Sequence, residues 1–417
     1  MALLMDSSTM NPPADAPIPQ REKLQRTWSR TSTSTWVDEA GKLRDNVSTW
    51  NYIADDPRFA LTSWHSDSSN VLHSKVDFGM ECGGPPNRVH GGCVGTVMDS
   101  VMAHFAWNLY HRPAFTLDLR VNYKGATPLG STCWSSVWLI SQSGRRCVVG
   151  AKLEADGKVV VTAEATFVAS RTTTPEEQLK QQAEHDQEIL KQAMALTIPS
   201  EYPERPSLEG VPGLDWPEDD PEYRGITAVE DLELVAESGI SLTPKPPGQA
   251  SWDCHANGRA KVPCRYFINK ERQQWVGAFW FSPLAQGPPG IAHGGAIYTA
   301  FDCFMGLGTR HLGTWSCVTK WLKVTYLKHC PIGSIGRFEV VEFSRSKDGR
   351  ENYVKSALIQ NGVRLAEAEA VFIRTLAHDL PHDEAMALFG PNVSRAEAAK
   401  NYARVFGGSA LALTAKL

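Results

Sequence analysis

The chain has 417 residues, of which 42% are hydrophobic and 21% charged, and its formal net charge is -4. These proportions are typical of a soluble globular protein of two or three domains, and the charge balance gives no reason to expect nucleic acid as a partner. No apolar run approaches the ~18 residues that a membrane span needs, so we expect no transmembrane segment.

The first segment, residues 1–45, is polar and rich in Pro, Ser and Thr, and we interpret it as a mobile tail. Asp6 comes too early for the apolar core of a signal peptide. Arg, Ser and Thr between residues 21 and 35 faintly resemble a mitochondrial transit peptide, but Asp15 and Glu22 disfavour one.

One sixteen-residue frame occurs twice in the chain. GPPNRVHGGCVGTVMD at 84–99 returns as GPPGIAHGGAIYTAFD at 287–302, which is an offset of 203. FTLDLRVNYKGATPLG at 115–130 aligns with VTKWLKVTYLKHCPIG at 318–333 at the same offset, and GKVVVTAEATFV at 157–168 aligns with GVRLAEAEAVFI at 362–373 at an offset of 205. An alignment in register over this length indicates an internal duplication, with two residues inserted in a turn of the second copy.

Each copy predicts the same structural unit. His-Gly-Gly leads into a stretch that is apolar nearly all round, which predicts a buried helix. In copy one, β-branched and apolar runs follow at 115–124, 131–141, 146–155 and 158–169, with a predicted hairpin turn at Asp156-Gly157 between the last two. Copy two has the corresponding turn at Asn361-Gly362. A helix wrapped by an antiparallel sheet is the simplest packing of these elements, so we expect an α+β fold with domains at 46–170 and 251–375.

The remaining segments connect or follow these domains. Residues 171–250 form a linker, in which Thr174, Pro175 and Glu177 predict the start of an amphipathic helix. Residues 376–417 contain a second predicted helix. The final Ala415-Lys416-Leu417 resembles a peroxisomal S-K-L address, although an ordinary terminus explains it equally well, so we expect a cytoplasmic or peroxisomal protein.

Nine scattered cysteines form no C-x-x-C pair, which favours free thiols over disulfides or a zinc site. The sequence contains no G-x-G-x-x-G, P-loop, G-x-S-x-G or H-E-x-x-H motif. We therefore expect neither a bound cofactor nor a metal ion.

The repeated frame has the composition of an acyl-transfer site. A glycine N–H at a helix start lies where the helix dipole is positive, which suits a carbonyl oxygen that becomes an oxyanion. Asp99 follows Gly91 by eight residues, two helical turns along, so the carboxylate and the N–H can line one groove. The second copy has the same pattern in His293, Gly294 and Asp302.

Each of these residues also has a purely structural explanation. An Asp can hydrogen-bond a neighbouring element, a histidine such as His90 can brace a loop, and two glycines can permit close packing. A carboxylate in an apolar helix is costly unless it is paired or used. The recurrence of the whole set in both copies favours a functional site.

The frame resembles the hotdog-fold acyl-CoA thioesterases of the phenylacetate-pathway and eukaryotic thioesterase-superfamily type, whose signature is G-P-P-G-x-x-H-G-G-A-x-x-x-x-x-D. Copy two matches the signature throughout, whereas copy one has Asn87 and Cys93 in place of a glycine and the alanine. A Thr seven residues before a Tyr, which those enzymes also carry, is present as Thr116 with Tyr123 and as Thr319 with Tyr326.

This resemblance implies a double hotdog: two long central helices, each wrapped by an antiparallel sheet, with the sheets joined side by side. One chain then supplies both active sites, so a monomer suffices and further self-association is optional. In such enzymes Asp and the Gly N–H come from one unit and Thr from the other. The resemblance therefore implies that Asp99 faces Thr319 and that Asp302 faces Thr116.

The implied reaction is hydrolysis of an acyl-CoA or acyl-carrier thioester. The N–H of Gly91 or Gly294 polarises the carbonyl, His90 or His293 braces the loop, Asp acts as general base or nucleophile, and Thr positions water. Relatives often carry an amide residue six positions before the His; Gly84 and Gly287 stand there. Both sites are expected to be competent, and they need not be equal, because Tyr298 and Phe301 occupy the places of Gly95 and Met98.

Four basic residues are candidates for the phosphates of coenzyme A, although a solvated strand face also explains them: Lys320, Lys323, Arg120 and Lys124. Two other functional classes stay open. The fold also supports non-hydrolytic enzymes, such as a dehydratase, cyclase or polyketide-tailoring catalyst, and non-catalytic acyl-binding scaffolds.

Overall fold

The computed structural model describes residues 35–37, 43–45, 59–66, 70–79, 82–84, 88–110, 112–171, 217–229, 232–237, 262–269, 274–282, 285–288, 290–312, 317–375, 388 and 401. The predicted helices in the linker and after residue 391, and the terminal Ala415-Lys416-Leu417, lie outside these residues. The exact domain boundaries therefore stay predictions.

The first repeat folds into one helix and six strands, which we call unit 1. Two short strands, β1 (Thr35–Val37) and β2 (Leu43–Asp45), precede it. Unit 1 then comprises β3 (Phe59–Ser66), β4 (Val71–Phe78), helix α1 (Gly91–Tyr110), β5 (Ala114–Tyr123), β6 (Thr132–Ser143), β7 (Arg146–Ala155) and β8 (Lys158–Ala169). The predicted helix and the four predicted strand runs are confirmed to within a few residues.

The second repeat gives the same series of elements, which we call unit 2. A short helix α2 (Pro221–Thr227) and strand β9 (Glu233–Glu237) come before it. Unit 2 comprises β10 (Cys264–Asn269), β11 (Gln274–Phe281), helix α3 (Gly294–His311), β12 (Cys317–Tyr326), β13 (Ser334–Arg345), β14 (Glu351–Gln360) and β15 (Val363–Arg374).

All the described strands belong to one sheet, in the order β2-β1-β3-β4-β6-β7-β8-β5-β12-β15-β14-β13-β11-β10-β9. The two units meet where β5 and β12 pair antiparallel, with Leu119 opposite Val324 and Arg120 opposite Lys323. Each half of the sheet wraps one buried helix, so the fold is the predicted α+β double hotdog. No described helix is long and apolar enough to cross a membrane.

The hydrophobic core lies between each helix and the inner face of its half-sheet. Strand residues alternate: Leu119 and Val121 are fully buried in the core, while Arg120 between them is exposed. The helices are buried on most of their circumference, which is why their sequences are apolar nearly all round.

The turns follow from local sequence. Asp156-Gly157 and Asn361-Gly362 adopt positive φ at both residues, as the predicted hairpin turns require. The two-residue insertion lies in the hairpin between β13 and β14, because the paired strands on either side of it align at offsets of 203 and 205.

Candidate active site

Helices α1 and α3 pack against each other around a local twofold relation. The hydroxyl oxygens of Thr96 and Thr299, which are 203 positions apart, lie 2.9 Å from each other. Thr96 donates a hydrogen bond to the carbonyl of Gly295 at 2.9 Å, and Thr299 donates one to the carbonyl of Gly92 at 3.0 Å. The start of each helix is thus tied to the second turn of the other.

The second glycine of each His-Gly-Gly makes this close crossing feasible. A Cβ atom on Gly92 would lie 2.9 Å from Thr299 Cγ2, and one on Gly295 would lie 2.8 Å from Thr96 Cγ2. Real Cβ atoms do not approach other carbon atoms so closely, so any larger residue would push the helices apart.

The first glycine of each pair faces the carboxylate of the other unit. A Cβ atom on Gly91 would lie 2.9 Å from Asp302 Oδ2, and one on Gly294 would lie 2.7 Å from Asp99 Oδ2. The helix start of one unit and the Asp of the other unit therefore share a site. The structure contains two such sites, which we call the Asp99 site and the Asp302 site.

At the Asp99 site the carboxylate is almost completely buried, with 2% exposure. Its Oδ1 accepts a hydrogen bond from the Thr116 hydroxyl at 2.9 Å. Burial raises the pKa of Asp99 from 3.8 to about 6, and hydrogen bonds from Thr116 and from the N–H of Gly295 oppose that rise. The carboxylate is thus ionised at neutral pH but unusually basic.

The Asp302 site repeats this arrangement. Asp302 is 6% exposed, and the Thr319 hydroxyl donates to its Oδ1 at 2.8 Å. His90 Nδ1 lies 3.5 Å from Asp302 Oδ2, and His293 Nδ1 lies 3.6 Å from Asp99 Oδ2.

The implied division of each site between the units is wrong for both the threonine and the glycine. Asp99 bonds Thr116 of its own unit, not Thr319, and Asp302 bonds Thr319, not Thr116. The His-Gly-Gly segment at each site comes from the unit that does not supply the Asp. The physical reason is that the crossing of α1 and α3 brings the start of one helix beside the third turn of the other, while the strand after each helix lies beneath that same helix.

Both histidines fit the bracing role. His293 is the N-cap of α3: its Nδ1 accepts the N–H of Gly295 at 2.9 Å, and His90 Nδ1 accepts the N–H of Gly92 at 3.0 Å. An acceptor Nδ1 places the ring proton on Nε2, so the imidazole is neutral. Each histidine therefore fixes the N–H of the second glycine, Gly92 or Gly295.

The N–H of Gly91 and that of Gly294 stand in the first turn of their helices. Neither has an acceptor among the described residues, and the helix dipole makes this end positive. They are the donors that a substrate carbonyl oxygen can use.

Two tyrosines complete the sites, and sequence reasoning missed their role. The Tyr123 hydroxyl donates to the Gly91 carbonyl at 2.7 Å, and Tyr326 donates to the Gly294 carbonyl at 2.9 Å. Burial raises the pKa of both tyrosines well above the usual value, so both stay protonated donors. The signal was available, because a tyrosine recurs at the same place in both copies.

The absence of an amide residue six positions before each histidine has a steric cause. A Cβ atom on Gly84 would lie 2.7 Å from the Cα of His90, and one on Gly287 would lie 2.8 Å from the Cα of His293. The histidine backbone occupies the space that a side chain would need.

The four basic residues are not brought to the carboxylates. Arg120 and Lys323 oppose each other in the β5–β12 pairing, on the face of the sheet that points away from the core, and the Arg120 guanidinium lies 4.6 Å from the centroid of the Trp321 ring. Lys320 pairs with Glu351 at 2.5 Å, and Lys124 is exposed just after β5. Their role in phosphate binding stays a prediction.

One difference between the two sites is the residue pair Gly95 and Tyr298. Tyr298 of α3 lies over Gly95 of α1, where a Cβ atom would be 2.0 Å from the Tyr298 ring. The Tyr298 hydroxyl lies 3.3 Å from that of Tyr123 and 3.4 Å from the carbonyl of Leu322. The Tyr123 hydroxyl thus has a neighbouring hydroxyl in Tyr298. Gly95, at the equivalent position of α1, has no side chain and gives Tyr326 no such neighbour.

Comparisons with known proteins match parts of the chain to thioesterases. The family model described as "Thioesterase superfamily" matches residues 87–162. The chain is 30% identical over 127 residues to the acyl-coenzyme A thioesterase THEM4 of Xenopus laevis, which is 30% of this chain and 47% of that protein. It is 33% identical over 111 residues to THEM4 of Mus musculus, and this match covers 26% of this chain and 46% of that protein. The chain thus spans about half the length of these curated relatives.

Two solved structures resemble the chain over a larger share. A putative thioesterase from Novosphingobium aromaticivorans shares 12% identity at a TM-score of 0.46, covering 77% of this chain and 99% of the other. A hot dog fold protein of unknown function from Alicyclobacillus acidocaldarius shares 14% sequence identity at a TM-score of 0.42. This match covers 76% of this chain and 96% of the other.

Proposed function

We propose that this chain, a tandem hotdog protein of the thioesterase superfamily, hydrolyses acyl thioesters at two sites that each combine residues of both units. The observation that carries the proposal occurs once at each site. A buried carboxylate lies beside a glycine at the start of a helix, and the N–H of that glycine has no acceptor among the described residues. The family match and the two acyl-coenzyme A thioesterase relatives support this choice of reaction.

In the Asp99 site, the thioester carbonyl oxygen accepts the N–H of Gly294. The positive end of α3 stabilises the negative charge that develops on this oxygen as the carbonyl carbon becomes tetrahedral. His293 and Tyr326 both bond the Gly294–Gly295 peptide group, which follows that N–H: His293 accepts its N–H and Tyr326 donates to its carbonyl. The donor is therefore oriented before substrate arrives.

Asp99 is the group that starts the reaction, as a general base or as a nucleophile. It either removes a proton from water as the water attacks the carbonyl carbon, or attacks that carbon itself and forms an anhydride that water then cleaves. Thr116 holds Oδ1, which leaves Oδ2 directed toward Gly294 and the substrate. The C–S bond breaks, and the thiolate takes up a proton to leave as thiol beside the free acid. The Asp302 site works in the same way with Thr319, Gly91 and Tyr123.

The thiol carrier is coenzyme A in this proposal, with an acyl carrier protein as the other candidate. The two named relatives are acyl-coenzyme A thioesterases, which supports the first choice. Because both sites are complete within one chain, a monomer is sufficient for turnover.

Thiol release from a panel of short, long and aryl acyl-CoA esters tests the proposal. The wild type is compared with Asp99→Asn, Asp302→Asn and the variant with both changes, and circular dichroism checks that each folds. We expect each single change to remove the activity of one site and the double change to abolish turnover. A folded wild type that releases no thiol from any ester contradicts the proposal.

A further inference from the structure

The hydroxyl of Tyr123 has one proton and gives it to the carbonyl of Gly91, at 2.7 Å, because a carbonyl oxygen can only accept. The contact between the Tyr123 and Tyr298 hydroxyls, at 3.3 Å, therefore has Tyr298 as its donor. Tyr298 is fully buried, and burial raises its pKa well above the usual value, so this donor keeps its proton. A directed chain of hydrogen bonds thus runs from Tyr298 through Tyr123 to Gly91.

Tyr298 divides its proton between two acceptors. Its hydroxyl also lies 3.4 Å from the carbonyl of Leu322. Both distances exceed the ~2.8 Å that is usual for a hydroxyl donor, as expected where one proton is shared in a three-centre bond. The effect of Tyr298 on Tyr123 is therefore smaller than that of one full hydrogen bond.

The bond from tyrosine to glycine is shorter where the chain has three members. A hydroxyl that accepts a hydrogen bond becomes a better donor, because each bond of a chain polarises the next. Tyr123, which accepts from Tyr298, lies 2.7 Å from its glycine carbonyl, whereas Tyr326 lies 2.9 Å from the carbonyl of Gly294. The Tyr326 hydroxyl bonds no second hydroxyl among the described residues.

The chain ends on the Gly91–Gly92 peptide group. The carbonyl of this group accepts from Tyr123, and its N–H donates to His90 Nδ1 at 3.0 Å. Bonds at both ends hold the peptide plane against rotation, and glycine has more backbone freedom to lose than any other residue. Tyr123 and His90 thereby fix the backbone of Gly91, whose own N–H is the proposed oxyanion donor of the Asp302 site.

Only one of the two sites can have such a tyrosine. Tyr298 and Gly95 are equivalent positions of the repeat, 203 apart, and they lie against each other where the helices cross. A Cβ atom on Gly95 would lie 2.0 Å from the Tyr298 ring, so the ring occupies the place of any side chain there. Two identical units would bring two tyrosine rings into the same space. The duplicated chain avoids this collision because its two copies differ.

We infer that Tyr298 is a positioning residue for the Asp302 site alone, which acts through Tyr123 to hold the Gly91 N–H and so raises turnover at that site. The inference rests on the proposed function. It assigns to a buried side chain of α3 a difference in catalysis between the two sites. Because the N–H stabilises charge that develops only in the transition state, the effect belongs to kcat rather than to KM.

Tyr298→Phe tests the inference, because it removes the hydroxyl and keeps the ring in the core. In an Asp99→Asn background, where only the Asp302 site works, we expect kcat to fall about fivefold with little change in KM. In an Asp302→Asn background the same change should alter kcat by less than about twofold. Equal losses at both sites would reveal a general effect on the core and overturn the inference.

A double-mutant cycle tests whether Tyr298 acts through Tyr123. In the Asp99→Asn background, Tyr123→Phe should cost more turnover than Tyr298→Phe, and the two changes together should cost no more than Tyr123→Phe alone. Losses that multiply overturn the proposed chain. Tyr353→Phe is the matched control, because it removes a tyrosine hydroxyl that bonds Glu351 on the surface and should leave kcat unchanged.

An NMR measurement separates this inference from the proposed function, since it needs no turnover. In protein labelled with glycine that carries ¹³C at the carbonyl and ¹⁵N at the amide, only a Gly-Gly peptide group links the two labelled nuclei directly. The sequence contains four such groups: Gly83–Gly84, Gly91–Gly92, Gly294–Gly295 and Gly407–Gly408. The peptide group at the start of each long helix therefore gives its own signal.

Tyr123→Phe and Tyr326→Phe identify the two signals, because each change removes the bond to one glycine carbonyl. We expect Tyr298→Phe to shift the Gly91–Gly92 signal in the same direction as Tyr123→Phe does, by a smaller amount, and to leave the Gly294–Gly295 signal in place. That result supports the role of Tyr298 even if the wild type hydrolyses no ester. A Gly91–Gly92 signal that does not move overturns it.

Discussion

At the Asp99 site, burial and hydrogen bonds shift the pKa of the carboxylate in opposite directions. Burial of Asp99 favours its protonated form, while the Thr116 hydroxyl and the Gly295 N–H favour the charged form. Burial is the larger effect, so the pKa rises to about 6 and the ionised group is a stronger base than an ordinary aspartate.

The activity of the Asp99 site should therefore depend on pH in the acid range. In the Asp302→Asn variant we expect kcat/KM to rise with pH through about 6, because only ionised Asp99 can act as base or nucleophile. Thr116→Val removes a hydrogen bond that lowers this pKa, so it should move the midpoint to higher pH. A profile with the same midpoint in both proteins would show that another group controls the rate.

The same pKa predicts an effect on stability. Folded Asp99 holds its proton more tightly than the unfolded chain does, so its contribution to stability is present below pH 3.8 and is lost as pH rises through about 6. The difference between these values corresponds to about 3 kcal/mol. We expect Asp99→Asn to be more stable than wild type at pH 7 and to lose that advantage near pH 4. Urea unfolding at both pH values measures it, and a variant that is less stable at pH 7 contradicts the prediction.

At the scale of elements, the crossing of α1 and α3 sets the geometry of both sites together. Thr96 and Thr299 lie at the crossing, and the second glycines give them room. Any change in the separation of the two helices moves each Gly N–H relative to the carboxylate of the other unit.

Gly295→Ala should push the helices apart, because its Cβ atom would lie 2.8 Å from Thr96. We expect a loss of about 1–3 kcal/mol in the free energy of unfolding and reduced turnover at both sites. Gly225→Ala in α2 is the control, since nothing lies within 4 Å of its Cβ position, and it should be neutral or stabilising by about 0.5–1 kcal/mol. The prediction is wrong if both changes have the same effect on the urea midpoint.

At the scale of the whole molecule, each site exists only because the two units share a sheet. The β5–β12 pairing brings the units into register, and each unit then supplies Asp and Thr to one site and His, Gly and Tyr to the other. Neither unit holds a complete site.

Pairs of changes reveal this arrangement. Asp99→Asn combined with Gly294→Ala damages one site twice, so it should keep about the activity of either single variant. Asp99→Asn combined with Gly91→Ala damages both sites and should abolish thiol release. The opposite pattern would show that Asp and Gly of one unit work together, as the resemblance implied.

Much of the fold was predictable because its signals are local or repeated. The apolar helices, the strand runs and the turns at Asp156-Gly157 and Asn361-Gly362 follow from periodicity and turn chemistry, and the offset of 203 predicted two copies of one unit. The Asp, Thr, His and Gly residues proposed for the site were predicted from the same recurrence. The roles of Tyr123 and Tyr326 were missed because the recurrence of a tyrosine does not reveal its partner, a glycine carbonyl 32 positions away.

The sequence by itself determined that the protein is a duplicated α+β unit with an Asp, a His-Gly-Gly and a Thr in each copy. Only the tertiary structure decided which of these residues meet. The spacing within one helix is compatible with a groove inside one unit, and the resemblance placed Thr across the interface. The crossing of two helices at Thr96 and Thr299 instead carries His-Gly-Gly to the Asp of the other unit, because contacts between distant segments depend on packing that no single segment encodes.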